Sequence, residues 1–260
     1  MAELLRFEHV EISYGGESVV HDVSFSVKPG EILGLVGESG SGKSTLMKSA
    51  MGLLGSNGLV TKGDILFEGK NIPDLSEKAL RKIRGARIGM IFQDAGASLC
   101  PIRTIGEQIY ESMSAHMAIS KLEARKQALA LFDKLHFKDG KRIWDSYPFE
   151  LSGGMNQRAG IAIAMLMQPA VLLADEPTSA LDVAVQKQVV DEMKQLRDLF
   201  GTAILLVTHD IGVVSAMADT VLVLKDGYQI EYGPARQVLE HPVHEYTQKL
   251  LAAVPKLRRV

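Results

Sequence analysis

The most specific chemistry in this sequence lies in one stretch, Gly37-Glu38-Ser39-Gly40-Ser41-Gly42-Lys43-Ser44. Its spacing fits G-x-x-x-x-G-K-S/T, the pattern of a backbone loop that cradles phosphates. Glycines at 37, 40 and 42 allow the chain to curl so that several N–H groups face one anion, and the helix that follows adds its positive dipole end. Lys43 is the cation for β- and γ-phosphates, and Ser44 offers a hydroxyl to Mg²⁺. A buried-strand pattern (Glu31 to Gly37) precedes the loop, and a helical pattern opening with Ser44-Thr45-Leu46 follows it. A glycine-rich structural turn accounts for neither the spacing nor this context.

Two further clusters share the same logic. The apolar run ending Leu172-Leu173-Ala174-Asp175-Glu176 reads as a strand that delivers carboxylates to its C-terminal end. Asp175 is placed to complete a Mg²⁺ shell, and Glu176, one residue on, to act as base or orienter for an attacking water. Alone, such residues are equally good turn formers. Leu151-Ser152-Gly153-Gly154-Met155 precedes a helical run. Ser152 suits the N-cap, and two glycines leave that helix N-terminus bare, a second anion site in the same chain or a plain capped helix.

These residues need a sheet to hold them. EILGLVG (Glu31 to Gly37), VLLAD (Val171 to Asp175) and AILLVTH (Ala203 to His209) are near-continuous apolar runs, the mark of parallel strands covered on both faces. Helical patterns fall at 43–54, 121–136, 153–168 and 184–200. This alternation predicts an α/β fold with a mostly parallel sheet. Before residue 31 and around 59–68, short alternating strands and turns predict an antiparallel β element beside it. The span 95–150 lacks buried-strand patterns and reads as an inserted helical subdomain. One compact catalytic unit of 260 residues is expected, with 1–94 and 151–232 as its α/β core and 233–260 as a C-terminal tail.

Composition narrows the classes. Twenty-nine basic against 31 acidic residues leave a net charge of −2, so no nucleic-acid partner is expected. Cys100 is the sole cysteine, which excludes an internal disulfide framework and cysteine-rich metal sites and suits a reducing, cytoplasmic setting. The longest apolar stretch, Ala159 to Met167, falls far short of the ~20 residues needed to cross a bilayer. Glu3, Arg6, Glu8 and Glu11 interrupt any signal-peptide-like region. His241 and His244 lack further ligands for a metal site, and Lys256-Leu257-Arg258-Arg259 reads as a solvated tail.

Taken in order, the loop at 37–44, LSGGM at 151–155, ADE at 174–176, Ser179-Ala180-Leu181-Asp182 and Thr208-His209-Asp210 resemble the nucleotide-binding subunit of ATP-binding cassette (ABC) transporters. The resemblance covers essentially the whole chain and implies the P-loop NTPase (RecA-like) fold and a single ATPase domain whose nucleotide-binding core is 1–94 and 151–232. It implies a head-to-tail dimer with a second ATP-binding subunit, sibling or self, in which ATP lies between the phosphate loop of one subunit and Ser152, Gly153 and Gly154 of the other. It also implies that Tyr14 stacks on adenine, although a core strand aromatic remains the alternative. Gln93 matches the glutamine that reaches Mg²⁺ or the attacking water, His209 the histidine at the γ-phosphate, and Asp182 the residue that communicates across the dimer.

Finer stretches resemble importers of oligopeptides, dipeptides and nickel or metal chelates: Phe92 to Gln108, Tyr147-Pro148-Phe149-Glu150, His209 to Val214, and His241-Pro242-Val243-His244-Glu245-Tyr246-Thr247. That likeness implies two transmembrane permease subunits, an extracytoplasmic substrate-binding protein, and peripheral attachment at the cytoplasmic face of the inner membrane. The alternative is a soluble ABC-type ATPase not coupled to transport, but the span from Ser44 to Ser152 is too short for the long insertions of DNA-repair members, and only one cassette is present. An ATP-binding cassette without hydrolysis is disfavoured by Lys43, Gln93, Glu176 and His209 together. Ala95, Cys100, Asn156 and Glu245 depart from the family pattern. Asn156 in place of arginine is expected to remove a positive charge near the second phosphate site.

Overall fold

The computed structural model describes residues 3–179 and 181–253. It divides into two compact units, one built from the chain up to Leu80 and again from Ala203, the other from Arg81–Thr202. The first unit opens with β1 (Leu5–Tyr14), β2 (Glu17–Val27), β3 (Ile32–Val36), α1 (Lys43–Ala50), β4 (Gly58–Phe67) and β5 (Lys70–Asn71). Helix α2 (Glu77–Ile83) leads into the second unit: β6 (Ile88–Ile91), α3 (Ala95–Ser98), α4 (Ile105–Ser114), α5 (Lys121–Lys134), α6 (Gly140–Asp145), α7 (Gly153–Met165), β7 (Val171–Asp175) and α8 (Val183–Phe200). The first unit resumes with β8 (Ala203–Val207), α9 (Ile211–Met217), β9 (Thr220–Lys225), β10 (Tyr228–Pro234), α10 (Ala235–Glu240) and α11 (Glu245–Ala252).

In the first unit the strand order is β5-β4-β1-β2-β10-β9-β3-β8. Strands β9, β3 and β8 run parallel, with Gly34 paired to both Leu206 and Val221. Every residue of β3 and β8 is buried, which is why these segments read as unbroken apolar runs. Helix α9 closes on β3 so tightly that a Cβ at Gly34 would lie 2.8 Å from Val214 Cγ1. The antiparallel element is present as well: β1 pairs with both β2 and β4. Its alternation is reset once. Phe7 and Val10 both face inward because His9, at φ 50°, forms a bulge between them.

The second unit pairs β6 with β7 in parallel, with Met90 opposite Leu173. Helices α4, α5 and α6 occupy the span expected to be helical. They pack around Trp144, which is buried, and a Cβ at Gly106 would lie 2.3 Å from its ring. Thr104 and Glu107 form a reciprocal capping box at the start of α4.

Several boundaries differ from expectation for local reasons. Helix α1 starts at Lys43 and ends at Ala50, where Gly52 and Gly55 take left-handed φ. Helix α5 ends before His136 (φ 54°), and α7 before Gln168 (φ 47°) and Pro169. The hairpin of β9 and β10 is an addition. Its two-residue turn, Asp226-Gly227, has φ 49° and 81°, as a type I′ turn demands. Strand β10 is largely half-exposed, so its sequence carried little periodic signal.

The C-terminal segment docks on this hairpin. The Glu231 carboxylate accepts the Val243 N–H at 3.0 Å and the His244 N–H at 3.3 Å. Partial burial opposes ionisation of Glu231, but these N–H groups and the nearby His244 prevail and hold its carboxyl below the ordinary 4.5. A depressed carboxyl contributes stability that is complete above its ordinary value and disappears as pH falls through its folded value. The acid-side decline in stability is therefore expected to be shallower in Glu231→Gln than in wild type, as read by urea midpoints between pH 3 and 7 on a grid of about 0.5 unit.

Candidate functional site

In the first unit, β3 ends at Val36 and delivers the chain into the loop. Gly37 takes φ 153°, Gly40 83° and Gly42 98°. At Gly37 the constraint is steric as well as conformational, because a Cβ would lie 2.1 Å from the Leu224 carbonyl oxygen and 2.8 Å from Ser41 Oγ. Left-handed glycines interspersed with ordinary residues turn successive N–H groups toward one side, which makes an anion nest. Lys43 folds back across the loop: Nζ donates to the Gly37 carbonyl at 2.9 Å and the Glu38 carbonyl at 2.7 Å, and lies 3.4 Å from Ser41 Oγ. Its side chain is buried, while Glu38, Ser39 and Gly40 are exposed. Ser44 and Thr45 occupy the first turn of α1, half-buried.

The loop is also held from outside. The Gly227 N–H donates to the Ser41 carbonyl at 3.2 Å, and the Glu38 N–H donates to the Tyr246 hydroxyl at 3.3 Å. Burial pushes the Tyr246 phenol above its ordinary value, against the lowering effect of the Glu38 N–H. His209 follows β8 and is exposed; its neighbour Thr208 is buried and accepts the Asp210 N–H at 3.1 Å. Asp210 in turn caps α9 through the Gly212 and Val213 N–H groups. Tyr14 ends β1 half-buried, with its ring edge against Gly58, where a Cβ would come within 2.6 Å of Cε1.

The second unit gathers the other residues. Strand β7 ends at Asp175, and Glu176 takes φ 47°, a left-handed conformation that is rare for a residue with a side chain and costs of order 1–3 kcal/mol. Gln93 lies just beyond β6, exposed. The two meet at Ser179, whose Oγ lies 3.0 Å from the Glu176 carbonyl and 3.3 Å from the Gln93 carbonyl. One hydroxyl proton is thereby shared between the backbones of the two candidate catalytic residues. Sequence reading quoted Ser179 within a motif without a role; only the fold brings Gln93 beside it.

Ser152 caps α7 as expected, accepting the Met155 N–H at 3.3 Å. Ser152 and Gly153 are exposed, and no acidic residue occupies the first turn. The two glycines differ. A Cβ at Gly153 would meet nothing within 4 Å, whereas one at Gly154 would lie 2.6 Å from Val185 Cγ1 on α8. Asp182 caps α8 by accepting the Val185 N–H at 2.9 Å. Ala180, in the same motif, lies outside the described residues, as do Lys256, Leu257, Arg258 and Arg259.

Asn156 stands just inside the start of α7. It is buried and donates to the Pro148 carbonyl at 2.9 Å, tying the turn before the LSGGM motif to α7. The loop at Cys100 is similarly pinned: its N–H donates to Gln108 Oε1 at 2.8 Å, and Gln108 Nε2 returns a bond to its carbonyl at 3.1 Å.

Helices α7 and α8 are locked by an ion pair that sequence reading did not single out. Arg158 Nε donates to Glu192 Oε2 at 3.0 Å and Nη2 lies 2.7 Å from Oε1, a two-pronged pairing of nearly buried side chains. Arg158 also donates to the Leu135 carbonyl and stacks 4.1 Å above the Phe137 ring centroid. Burial raises the Glu192 carboxyl above its ordinary value, and Arg158 opposes that rise.

With this geometry in hand, relatives place the chain. The family profile described as ABC transporter matches residues 20–179, and that described as the C-terminal region of oligopeptide/dipeptide transporters matches 230–260. The oligopeptide transport ATP-binding protein OppD of Salmonella typhimurium is 45% identical over 94% of this chain and 72% of its own length. A probable peptide ABC transporter ATP-binding protein of Sinorhizobium fredii is 43% identical over 95% and 75%. Among solved structures, the dimeric post-hydrolysis state of the ATP-binding cassette MJ0796 bound to ADP and Pi aligns at TM-score 0.78 and 30% identity, over 90% of this chain and 99% of that one. The cbiO1 protein of Clostridium perfringens, part of the transporter complex cbiONQ, aligns at 0.81 and 28%, over 98% and 97%. The chain belongs to the ABC transporter family: it is an ATP-binding cassette of P-loop NTPase fold and an ATPase.

Arg158→Ala leaves Glu192 as a buried carboxylate without its guanidinium, an expected loss of ~3–5 kcal/mol in urea denaturation. The Arg158→Met, Glu192→Leu double variant, which replaces the whole pair by apolar side chains, is expected to recover most of that loss.

Proposed function

We propose that this chain is the ATP-hydrolysing subunit of an importer for peptides. The observation that carries the reading is the phosphate loop with its ammonium in place: glycines force the curl, and Lys43 lies across the loop where a polyanion is to be received. The peptide cargo is supported by relatives named for oligopeptide and peptide transport, together with the match over 230–260. Metal chelates have no such support.

The roles follow by residue. Gly37, Glu38, Ser39, Gly40, Ser41, Gly42, Lys43, Ser44 and Thr45 form the site for the phosphates of ATP, through the Lys43 charge and the loop's backbone N–H groups other than that of Glu38, which the Tyr246 hydroxyl accepts, and Tyr14 stacks on the adenine. Glu176 accepts the proton of the attacking water, Gln93 orients that water, and His209 contacts the γ-phosphate. Ser44 hydroxyl, Gln93 amide and Asp175 carboxylate are hard oxygen donors, the set that suits Mg²⁺. When bound, Mg²⁺ neutralises charge on the β- and γ-phosphates.

Ser152, Gly153 and Gly154 receive the nucleotide held by a second ATP-binding subunit, and Asp182 communicates between the two. What supports this is the bare, exposed start of α7, with open space at Gly153. In this layout 1–94 and 151–232 form the nucleotide-binding core, 95–150 the helical subdomain and 233–260 the tail. Two permease subunits are the membrane partners, and an extracytoplasmic binding protein delivers the cargo. No described helix is long and apolar enough to cross a membrane, so attachment is assigned to the permeases. Exposed Ile102 and Phe149 in the second unit support docking on a partner.

Mass spectrometry of the chain purified from gently solubilised membranes is expected to recover two multi-span permeases; recovery of soluble partners only, alongside an intact control transporter, would overturn the import reading. Glu176→Gln is expected to lower ATP turnover by about 10²–10⁴ with nucleotide binding retained. Gly153→Ala is expected to fold and bind ATP as wild type yet lose at least about tenfold in turnover, because its methyl would project into open space that the second subunit's nucleotide is proposed to fill. Unchanged turnover would remove the second-subunit role of α7.

A further inference from the structure

The phosphate loop is braced by a segment that follows it by some two hundred residues. Glu38 and Tyr246 are separated by 208 positions, yet the Glu38 N–H donates to the Tyr246 hydroxyl at 3.3 Å. The Tyr246 ring is buried in one apolar cluster with Val36, the last strand residue before the loop, and with Val221 and Val223 of β9. The Lys225 ammonium lies 5.1 Å from the ring centroid. The ring is thus fixed against the root of the loop, and its hydroxyl against the loop itself.

The backbone of Tyr246 is fixed from the opposite side. His244 Nδ1 accepts the Tyr246 N–H at 3.1 Å, and Glu231 on β10 accepts the N–H groups of Val243 and His244. A continuous set of contacts therefore runs from the β9–β10 hairpin through the start of α11 to Glu38. The loop needs such support. Glycines at 37, 40 and 42 carry the largest conformational entropy of any residue type, and Glu38, Ser39 and Gly40 are exposed. Lys43 Nζ engages the Gly37 and Glu38 carbonyls, and the Tyr246 hydroxyl accepts the Glu38 N–H.

We propose that Tyr246 is a positioning residue for the phosphate-binding loop, and that through it the C-terminal segment sets the loop geometry that ATP requires. The proposal rests on the assignment of residues 37–44 as the ATP phosphate site. Tyr246 touches no reacting atom; it acts by narrowing the loop to the conformation in which its N–H groups converge.

The hydroxyl and the ring are separable. Tyr246→Phe keeps the buried ring and removes only the acceptor for the Glu38 N–H, a loss equivalent to one neutral hydrogen bond, or about three- to fivefold in an equilibrium constant. With the full-length chain, the expected result is a Kd for a fluorescent ATP analogue and a KM for ATP each raised about three- to fivefold, with kcat within about twofold of wild type. A purely structural role would lower the melting temperature and leave KM untouched. Glu231→Gln, which loosens the same segment while Tyr246 stays intact, is expected to raise KM in the same direction. Lys43→Ala serves as the control for the underlying assignment. If Lys43→Ala abolishes analogue binding while Tyr246→Phe and Glu231→Gln bind as wild type, the brace is wrong and the phosphate site stands. If Lys43→Ala binds as wild type, the phosphate site falls and the brace with it.

Discussion

A loop that is to hold several negative charges cannot use side-chain anions and cannot afford a random backbone, and in this chain both demands converge on Gly37. There the backbone passes so close to the Leu224 carbonyl that a Cβ would sit 2.1 Å away, and its φ of 153° is a region only glycine enters readily. The close approach seats the loop on β9, and the Lys43 ammonium then ties the loop to itself through the Gly37 and Glu38 carbonyls. The buried parallel strands β9, β3 and β8, the tight docking of α9 on Gly34 and the Asp226-Gly227 turn all serve to hold that one crossing in place.

The second unit solves a different problem, which is to keep a polar, strained turn at the end of a strand from relaxing. Glu176 in a left-handed conformation is stabilised by the turn it opens: Ser179 donates its N–H to the Glu176 carbonyl at 3.1 Å and shares its hydroxyl proton with that carbonyl and the one of Gln93. The start of α7 is held by Asn156 on Pro148 and by the packing of Gly154 against Val185. Deeper along the same helix, Arg158 grips Glu192 of α8 and the end of the helical span at Leu135 and Phe137. Replacing either buried charge alone leaves the other uncompensated, which couples α7 and α8 through this pair.

Much of this was legible beforehand because the signals were local. The phosphate loop, the strands at Ile32–Val36, Val171–Asp175 and Ala203–Val207, and the cap at Ser152 are each written within a few consecutive residues. Periodicity failed where burial was partial. Strand β10 alternates poorly, so the β9–β10 hairpin went unread, and helix ends at His136 and Gln168 hung on left-handed residues that carry no sequence mark. The burial of Asn156 was likewise not legible, because its contact with Pro148 is made only in the fold.

The sequence by itself determined the chemistry, because glycine spacing, a lysine, a serine and terminal carboxylates have meaning wherever a strand–loop–helix forms. The tertiary structure alone decided which distant groups support them. Tyr246 reaches Glu38 across 208 positions, and Ser179 reaches Gln93 across 86, contacts that depend on strand order and helix docking rather than on any neighbouring residue. Hydrogen bonds of this kind cost loop-closure entropy that no short window of sequence reveals, and they exist only once the sheet has brought both partners to the same edge.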